Sequence, residues 1–516
     1  SGNLRTAGWV DVTLFKGLTF RSNINYDFSG SNSWNYNPSI IRNKYEYDQY
    51  PNGKKPLDEF STSGSASTNI GIENYFTFDK TFGKNHITAM VGQSASKYHG
   101  SRNSSSTKDL TFDFLRGFYS TDKTAYNDGG GNPEISTRFA SYFARLNYDF
   151  DGKYLLSAIV RRDGSSRLTK SIRWETFPSV SLGWRLDREN FFPVDERIIN
   201  MMKIRASYGE LGNENIGEYV YQATMDRNNM SYSFGGQPIY GSAISTFVNE
   251  KLAWEKKKTT NVGIDMAFLN NSIEFTAEWY LNKSTDLLYS VPVPANAGVA
   301  NTAVTMNAAA MENSGLEFSL TYRNHTAFGL GYDITANMST LKNKVTSLGF
   351  GTESYITGAY KTEVGQEVGK FYGWKYQGIA RTQADLDNHV NANGQKILQE
   401  GAGIGDCLYE DINNDGVIDD LDQTVLGSGL AKVNFGLSAH LSYKNFDLAV
   451  STFGALNYHV SDDIYNSLNS CYGPGNKSVD MLNANKFDSN GNYTSANPKT
   501  YYQANGRAWN DMFSDR

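Results

Sequence analysis

The chain has 516 residues, of which 14% are aromatic and 20% charged, so its length alone would predict three or four ordinary domains of roughly 100–200 residues each. A formal net charge of −6 and a pI near 5.7 exclude the strong basic field that nucleic-acid binding needs. A mean hydropathy of −0.51 and the lack of any apolar run of ~18 residues exclude membrane helices, but not a transmembrane β-barrel, whose alternating residues average to polar.

The dominant period is two, the period of a strand. It starts at 8–26, where Leu18, Phe20, Ile24 and Tyr26 alternate with Thr19, Arg21, Asn23 and Asn25. A second hairpin is expected at 69–95. The third, 139–162, is the clearest: Tyr142, Ala144, Leu146, Tyr148 and Phe150 share one face, and Arg145, Asn147 and Asp149 lie opposite with Phe143. Asp151-Gly152 then supplies a tight turn, because both residues tolerate positive φ. Further hairpins follow at 177–209, 258–281, 315–338 and 433–453, giving about fourteen strands of roughly 8–11 residues. Ten such residues at ~3.3 Å each and ~40° tilt rise about 25 Å, the height of an outer-membrane apolar band.

The connections alternate between short turns and long links at 27–68, 96–138, 210–257 and 339–432. Such alternation points to an all-β transmembrane antiparallel barrel with short periplasmic turns and long extracellular loops. Trp9, Tyr26, Tyr148, Phe150, Tyr154, Trp184, Trp279, Tyr280 and Tyr443 sit near strand ends, as an interfacial girdle requires. Packed sheet aromatics are the alternative.

Inside the long link 339–432, residues 411–422 have calcium-loop spacing. Asp411, Asn413 and Asp415 stand at positions 1, 3 and 5, Gly416 at 6, the Val417 carbonyl at 7, Asp419 at 9 and Asp422 at 12. Oxygen ligands at alternate positions wrap a hard cation, so a structural Ca²⁺ is expected; an acidic Asx-turn loop without metal is the other reading. Cys407 and Cys471 either form one bridge or stay as thiols. The six histidines are scattered, none with an obvious nucleophile and orienting partner, and no catalytic residue or enzyme activity is expected.

Residues 142–148, then Lys153, Tyr154, Leu155 and Leu156, then Arg161, Arg162, Asp163, Gly164, Ser165, Ser166 and Arg167 resemble the SusC/RagA-type TonB-linked outer-membrane proteins. Segments 174–184, 205–209, 211–216, 254–265, 313–317, 365–372 and 411–422 carry the same likeness, in order along nearly the whole chain. The resemblance implies a TonB-dependent receptor barrel of 22 strands. It further implies an N-terminal plug with a TonB box, a SusD-like surface lipoprotein as lid, and import of oligosaccharides or peptides in Bacteroidetes-like bacteria. On that reading residues 1–516 form part of the barrel wall, lacking the plug and the closing strands. Strand parity then makes Arg145, Asn147, Asp265, Glu274, Glu278, Glu317, Arg323 and Asp333 lumen-facing candidates. Two other readings stay open: a secreted calcium-binding β-protein that binds or hydrolyses glycans, and a passive porin or adhesin.

Overall fold

In the computed structural model, tight turns define the hairpins. Asp151 and Gly152 both take positive φ, 57° and 63°, as a two-residue turn matched to strand twist requires. The Gly152 amide donates to Asp149 Oδ1 at 2.6 Å, and Lys84 Nζ reaches Asp151 Oδ2 at 2.7 Å. The structure describes the chain except residues 38–58, 109, 111–116, 119–125, 129–131, 193, 194, 196, 219, 224, 227–230, 242, 245–247, 250, 293–302, 350, 470–475, 500–513 and 516.

The fold is β-sheet-dominant and mostly antiparallel. The long strands are β1 (Gly2–Phe15), β2 (Leu18–Asn37), β3 (Glu59–Phe82), β4 (Asn85–Lys108), β5 (Asn132–Phe150), β6 (Tyr154–Ser165) and β7 (Trp174–Arg185). They continue with β8 (Ile199–Asn213), β9 (Glu255–Phe268), β10 (Ile273–Pro292), β11 (Ala303–His325), β12 (Leu330–Thr340), β13 (Val433–Tyr443) and β14 (Phe446–Leu456). Each predicted hairpin corresponds to a consecutive pair. Several strands run well past the predicted ends, into segments read from the sequence as links. The extensions of β2 and β3 are serine- and asparagine-rich, so they carry no apolar alternation. Cross-strand hydroxyl pairs join them, Ser31 to Ser65 at 2.9 Å and Ser33 to Ser63 at 2.7 Å.

The chain forms two compact units. The first comprises Ser1–Pro193, Lys203–Asn261 and Thr285–Asn307. There, β1 to β8 follow one another as antiparallel neighbours. Register puts Leu18, Phe78, Ala89, Leu146, Ala158, Val180 and Tyr208 in one row. On the opposite face Asp79, Thr88, Asn147, Ser157, Ser181 and Ser207 form another. The sheet therefore has one apolar and one polar face. Leu146, Val91, Ile24 and Ile72 on the apolar face are all exposed. At its far end this unit buries a core of Leu168, Phe177, Ile216, Leu252 and Trp254.

The second unit comprises Val194–Met202, Val262–Ser284 and Ala308–Arg516. Strands β11 to β14 repeat the two-faced pattern. Leu320, Ala336, Leu437 and Thr452 share a row, and Thr321, Thr335, Ser438 and Ser451 share one on the other face. The segment 339–432 is more than a loop. It folds on itself, with a four-stranded sheet from Ser354–Thr357, Tyr360–Glu363, Lys370–Trp374 and Gln423–Gly427. Its core is Ile397, Cys407, Tyr409 and Ile418, against Trp374 and Tyr376. Cys407 is thus a packing residue; Cys471 lies outside the described residues. His389 is buried in the same region and donates through Nε2 to the Tyr409 carbonyl at 2.9 Å, a structural role.

Candidate functional site

The polar face of the first unit bounds a cavity of about 500 Å³, lined among others by His86, Thr88, Asn147, Ser157, Ser181 and Ser207. These residues meet because they occupy alternate positions on strands in one register. Asn147 Oδ1 accepts from Ser157 Oγ at 2.8 Å, and Asp79 Oδ2 from Thr88 Oγ1 at 2.7 Å. Arg145 lies on the same face, exposed, with Met90 and Ile159 as its register neighbours. Hydroxyl and amide groups share this wall with the charged Asp149, Lys203 and Arg205 and with Leu155 and Leu182, a surface that can hydrogen-bond a polar solute.

In the second unit three of the candidates converge. The Arg323 guanidinium bridges Glu274 and Asp333, each at 2.7 Å. Arg323 and Asp333 are direct cross-strand partners, and Asp333 pairs in turn with His440. Glu274 reaches them from 49 residues away. Glu317 lies exposed on the Arg323 face of β11, opposite Ser339. Asp265 and Glu278 are half-buried and engaged with neighbours. Arg323, Glu274 and Asp333 are all well exposed, so solvent screens the fork and it orients charge more than it stabilises the fold.

The loop 411–422 is shaped by its own side chains. Asp411 Oδ2 accepts from the Gly416 amide at 2.8 Å and from Asn391 Nδ2 at 3.0 Å. Asn413 Oδ1 caps the Asp415 amide, and Asp415 Oδ1 caps the Val417 amide. Gly416, at φ 86°, makes the sharp turn. Asp422 is 0% exposed and accepts from the amides of Ile412, Asn413 and Asp419. Burial pushes its carboxyl up, and the Asp411 charge pushes it further. Burial also works against ionisation of Asp411, but Asn391 and the Gly416 amide hold its carboxyl below the usual range. Asp411 is 3% exposed, and its Oδ1 makes no hydrogen bond. Asp419 Oδ1 caps Leu421. Among the described residues no group of three or more His, Cys, Asp or Glu is gathered as a ready metal cluster.

Sequence reasoning did not reach the partners of the charged residues in 161–167. Arg161 pairs with Asp163 at 2.7 Å. Arg167 reaches Glu218 at 3.3 Å and Glu214 at 4.0 Å, while Ser165 Oγ donates to Glu214 at 2.6 Å. Glu214 and Glu218 lie about fifty residues on, and no local pattern announces them.

Comparison with known proteins places the chain. A family profile described as TonB dependent receptor-like, beta-barrel matches residues 2–397. TonB-dependent receptor P3 of Formosa agariphila is 30% identical over 435 residues, covering 81% of this chain and 41% of the relative. TonB-dependent receptor SusC of Bacteroides thetaiotaomicron is 31% identical over 404 residues, covering 77% of this chain and 38% of the relative. Among solved structures, the RagAB peptide importer in its open-open state superposes with a TM-score of 0.77 at 23% identity, over 96% of this chain and 51% of that one. The chain spans two fifths to half the length of these relatives.

Proposed function

The chain belongs to the TonB-dependent receptor-like β-barrel family, and from that premise we propose that it supplies the wall and outer loops of a SusC/RagA-type importer. In the whole receptor a SusD-like lipoprotein closes over a solute, and TonB drives release through a plug. The family is one of outer-membrane transporters, and this reading assigns no catalytic residue. The solute is an oligosaccharide or a peptide, and the barrel closes with the family's 22 strands.

One observation carries the reading: exposed apolar rows on one face of each sheet and hydroxyl, amide and charged rows on the other. A water-soluble sheet would bury its apolar face; a membrane wall turns it to lipid and lines the passage with the polar one. The Asn147–Ser157 cavity wall and the Arg323 fork then face the solute path, together with Arg145, Asp265, Glu278 and Glu317. Leu437, 47% exposed at mid-strand, tests the orientation. Leu437→Arg in the full receptor should cost about 2–4 kcal/mol and reduce heat-modifiable, folded protein in the outer membrane. Ser438→Arg, on the other face, should assemble normally. Equal assembly of Leu437→Arg and parent would overturn the orientation. For the solute, a strain lacking the receptor should lose growth on one class alone, oligosaccharide or peptide, as sole carbon source; undiminished growth on both refutes import of either.

Within the loop 411–422 we also assign a structural Ca²⁺. What supports it is Asp411 Oδ1, a buried carboxylate oxygen without a hydrogen bond, in a loop whose oxygen-bearing side chains at positions 3 and 5 form Asx turns. Asp411, Asn413, Asp415, the Val417 carbonyl and Asp419 would hold the ion, which would supply only charge and cross-linking. Both Asp422 oxygens already hold backbone amides, so Asp422 keeps the loop closed around it. Calcium added after chelation should raise the melting temperature of the parent and not of Asp411→Ala. Purified receptor that contains no calcium and melts identically in chelator would refute the assignment.

A further inference from the structure

The apolar face of the first unit is interrupted near the loop end of its strands by a groove of about 860 Å³. Its floor is one register row: Ile24, Ile72, Ala95, Ala140, Gly164 and Trp174. The hollow exists because the three middle residues are small while isoleucines and an indole stand at either side. The next row towards the loops is Tyr26, Ile70, Lys97 and Arg138. Two cations therefore sit side by side directly above an apolar trough, and Arg173 completes a basic rim.

Among the described residues, no Asp or Glu lines this groove, and Lys97, Arg138 and Arg173 have no carboxylate partner. Arg173 donates only a long 3.4 Å bond to the Leu168 carbonyl, and its buried Nε has no acceptor. By contrast, Arg161 is paired with Asp163 and Arg167 with Glu218. Three uncompensated cations on a face otherwise built for hydrocarbon call for an anion that arrives with its own apolar body. A guanidinium and an ammonium together suit a phosphate monoester or diester, and a trough of Ile, Ala and Gly suits an extended acyl chain.

We propose that this groove is a binding site for an acylated, phosphate-bearing lipid of the outer leaflet. The phosphate lies on Lys97, Arg138 and Arg173, and an acyl chain lies along Ile24, Ile72, Ala95 and Ala140. The inference rests on the membrane-facing orientation of this face, and the site would fix the height of the wall in the bilayer at the loop side. Trp174, stacked on Tyr142 at 5.8 Å, borders the trough and reports on it.

The test uses the full receptor in detergent and native mass spectrometry, with dioleoyl phosphatidic acid as probe. Dioleoyl glycerol and inorganic phosphate serve as the single-feature controls. Phosphatidic acid should bind the parent, and combined Lys97→Ala, Arg138→Ala and Arg173→Ala should weaken it about a hundredfold at ~1 kcal/mol per cation. Brominated phosphatidic acid should quench fluorescence in the parent, and less in Trp174→Phe. Equal binding by parent and triple variant overturns the site, and so does inorganic phosphate binding as well as the lipid. Heat-modifiable migration of the triple variant shows that the wall has assembled. Undiminished lipid binding by an assembled triple variant thus counts against the groove alone, whereas a receptor that stays folded and monomeric without detergent counts against the membrane reading itself.

Discussion

Trp254→Ala is expected to lower stability by about 3–5 kcal/mol, as for other large-to-small core aromatics. Trp254 is 2% exposed and packs edge-on against Phe177 at 5.6 Å and Phe139 at 6.2 Å. Leu168, Ile216 and Leu252 complete the cluster. The indole Nε1 also donates to the Arg173 carbonyl at 3.1 Å. Truncation therefore opens a cavity and removes one of two donors to the Arg173 carbonyl, which keeps the Ser165 amide at 3.2 Å. Trp254→Phe refills most of the volume and loses only the hydrogen bond, so about 1 kcal/mol should go. Denaturant unfolding of the two variants, followed by tryptophan-independent circular dichroism, separates packing from hydrogen bonding. A loss below about 1 kcal/mol for Trp254→Ala would show that the cluster does not anchor this unit.

Asp422→Ala should be comparably costly, by a different mechanism. The side chain is the shared acceptor for the amides of Ile412, Asn413 and Asp419, at 2.9, 3.4 and 2.8 Å. Alanine leaves three donors near a buried position, at about 1–3 kcal/mol for each one that water cannot reach. The expected outcome is local opening of 411–422: faster amide exchange at those three residues and new protease cleavage there, with the long strands still protected. Asp422→Asn keeps an acceptor oxygen and removes a carboxylate opposed by Asp411, so it should lose distinctly less. Running both variants in chelator isolates the hydrogen bonds from any bound cation. Unchanged exchange in Asp422→Ala would mean that the Asx turns alone hold the loop.

The hairpins were legible because their signal is local: apolar and polar residues alternate within one strand, and Asp151-Gly152 marks its own turn. Strand ends were not, because Ser29 to Asn37 and Ser61 to Ser67 pair through hydroxyls and backbone and show no apolar period. The fold within 339–432 was hidden for a related reason. Of its core residues, Cys407 and Tyr409 come from a three-residue strand paired with Tyr376–Ile379. Ile397 and Ile418 come from irregular chain joined by single bridges such as Leu398 to Val417, and all these pieces are too short to show a period. Strand parity placed Arg323 and Asp333 on faces, and their contact follows from one hairpin. The approach of Glu274 depends on the register between the neighbouring strands β10 and β11, which no turn motif in the sequence marks. The 411–422 spacing was readable, but the capture of Asp422 by three amides was not.

Thr340 and Val433 are the last register pair of β12 and β13, and the Leu341 amide still donates to the Lys432 carbonyl at 2.9 Å. Lys432 is also held by an ion pair to Glu367. Beyond Lys342–Ser347, which pairs with Ala310–Ser314 of β11, the chain up to Lys432 therefore leaves and re-enters through a doorway that β12 and β13 keep shut. Lengthening such an excursion costs only about 0.6 kcal/mol per doubling of its length. Insertions and deletions here can accumulate without shifting a single strand pair between β12 and β13. This makes the segment the natural place to graft foreign sequence, and the place where lineages are free to diverge while the wall beneath them stays the same.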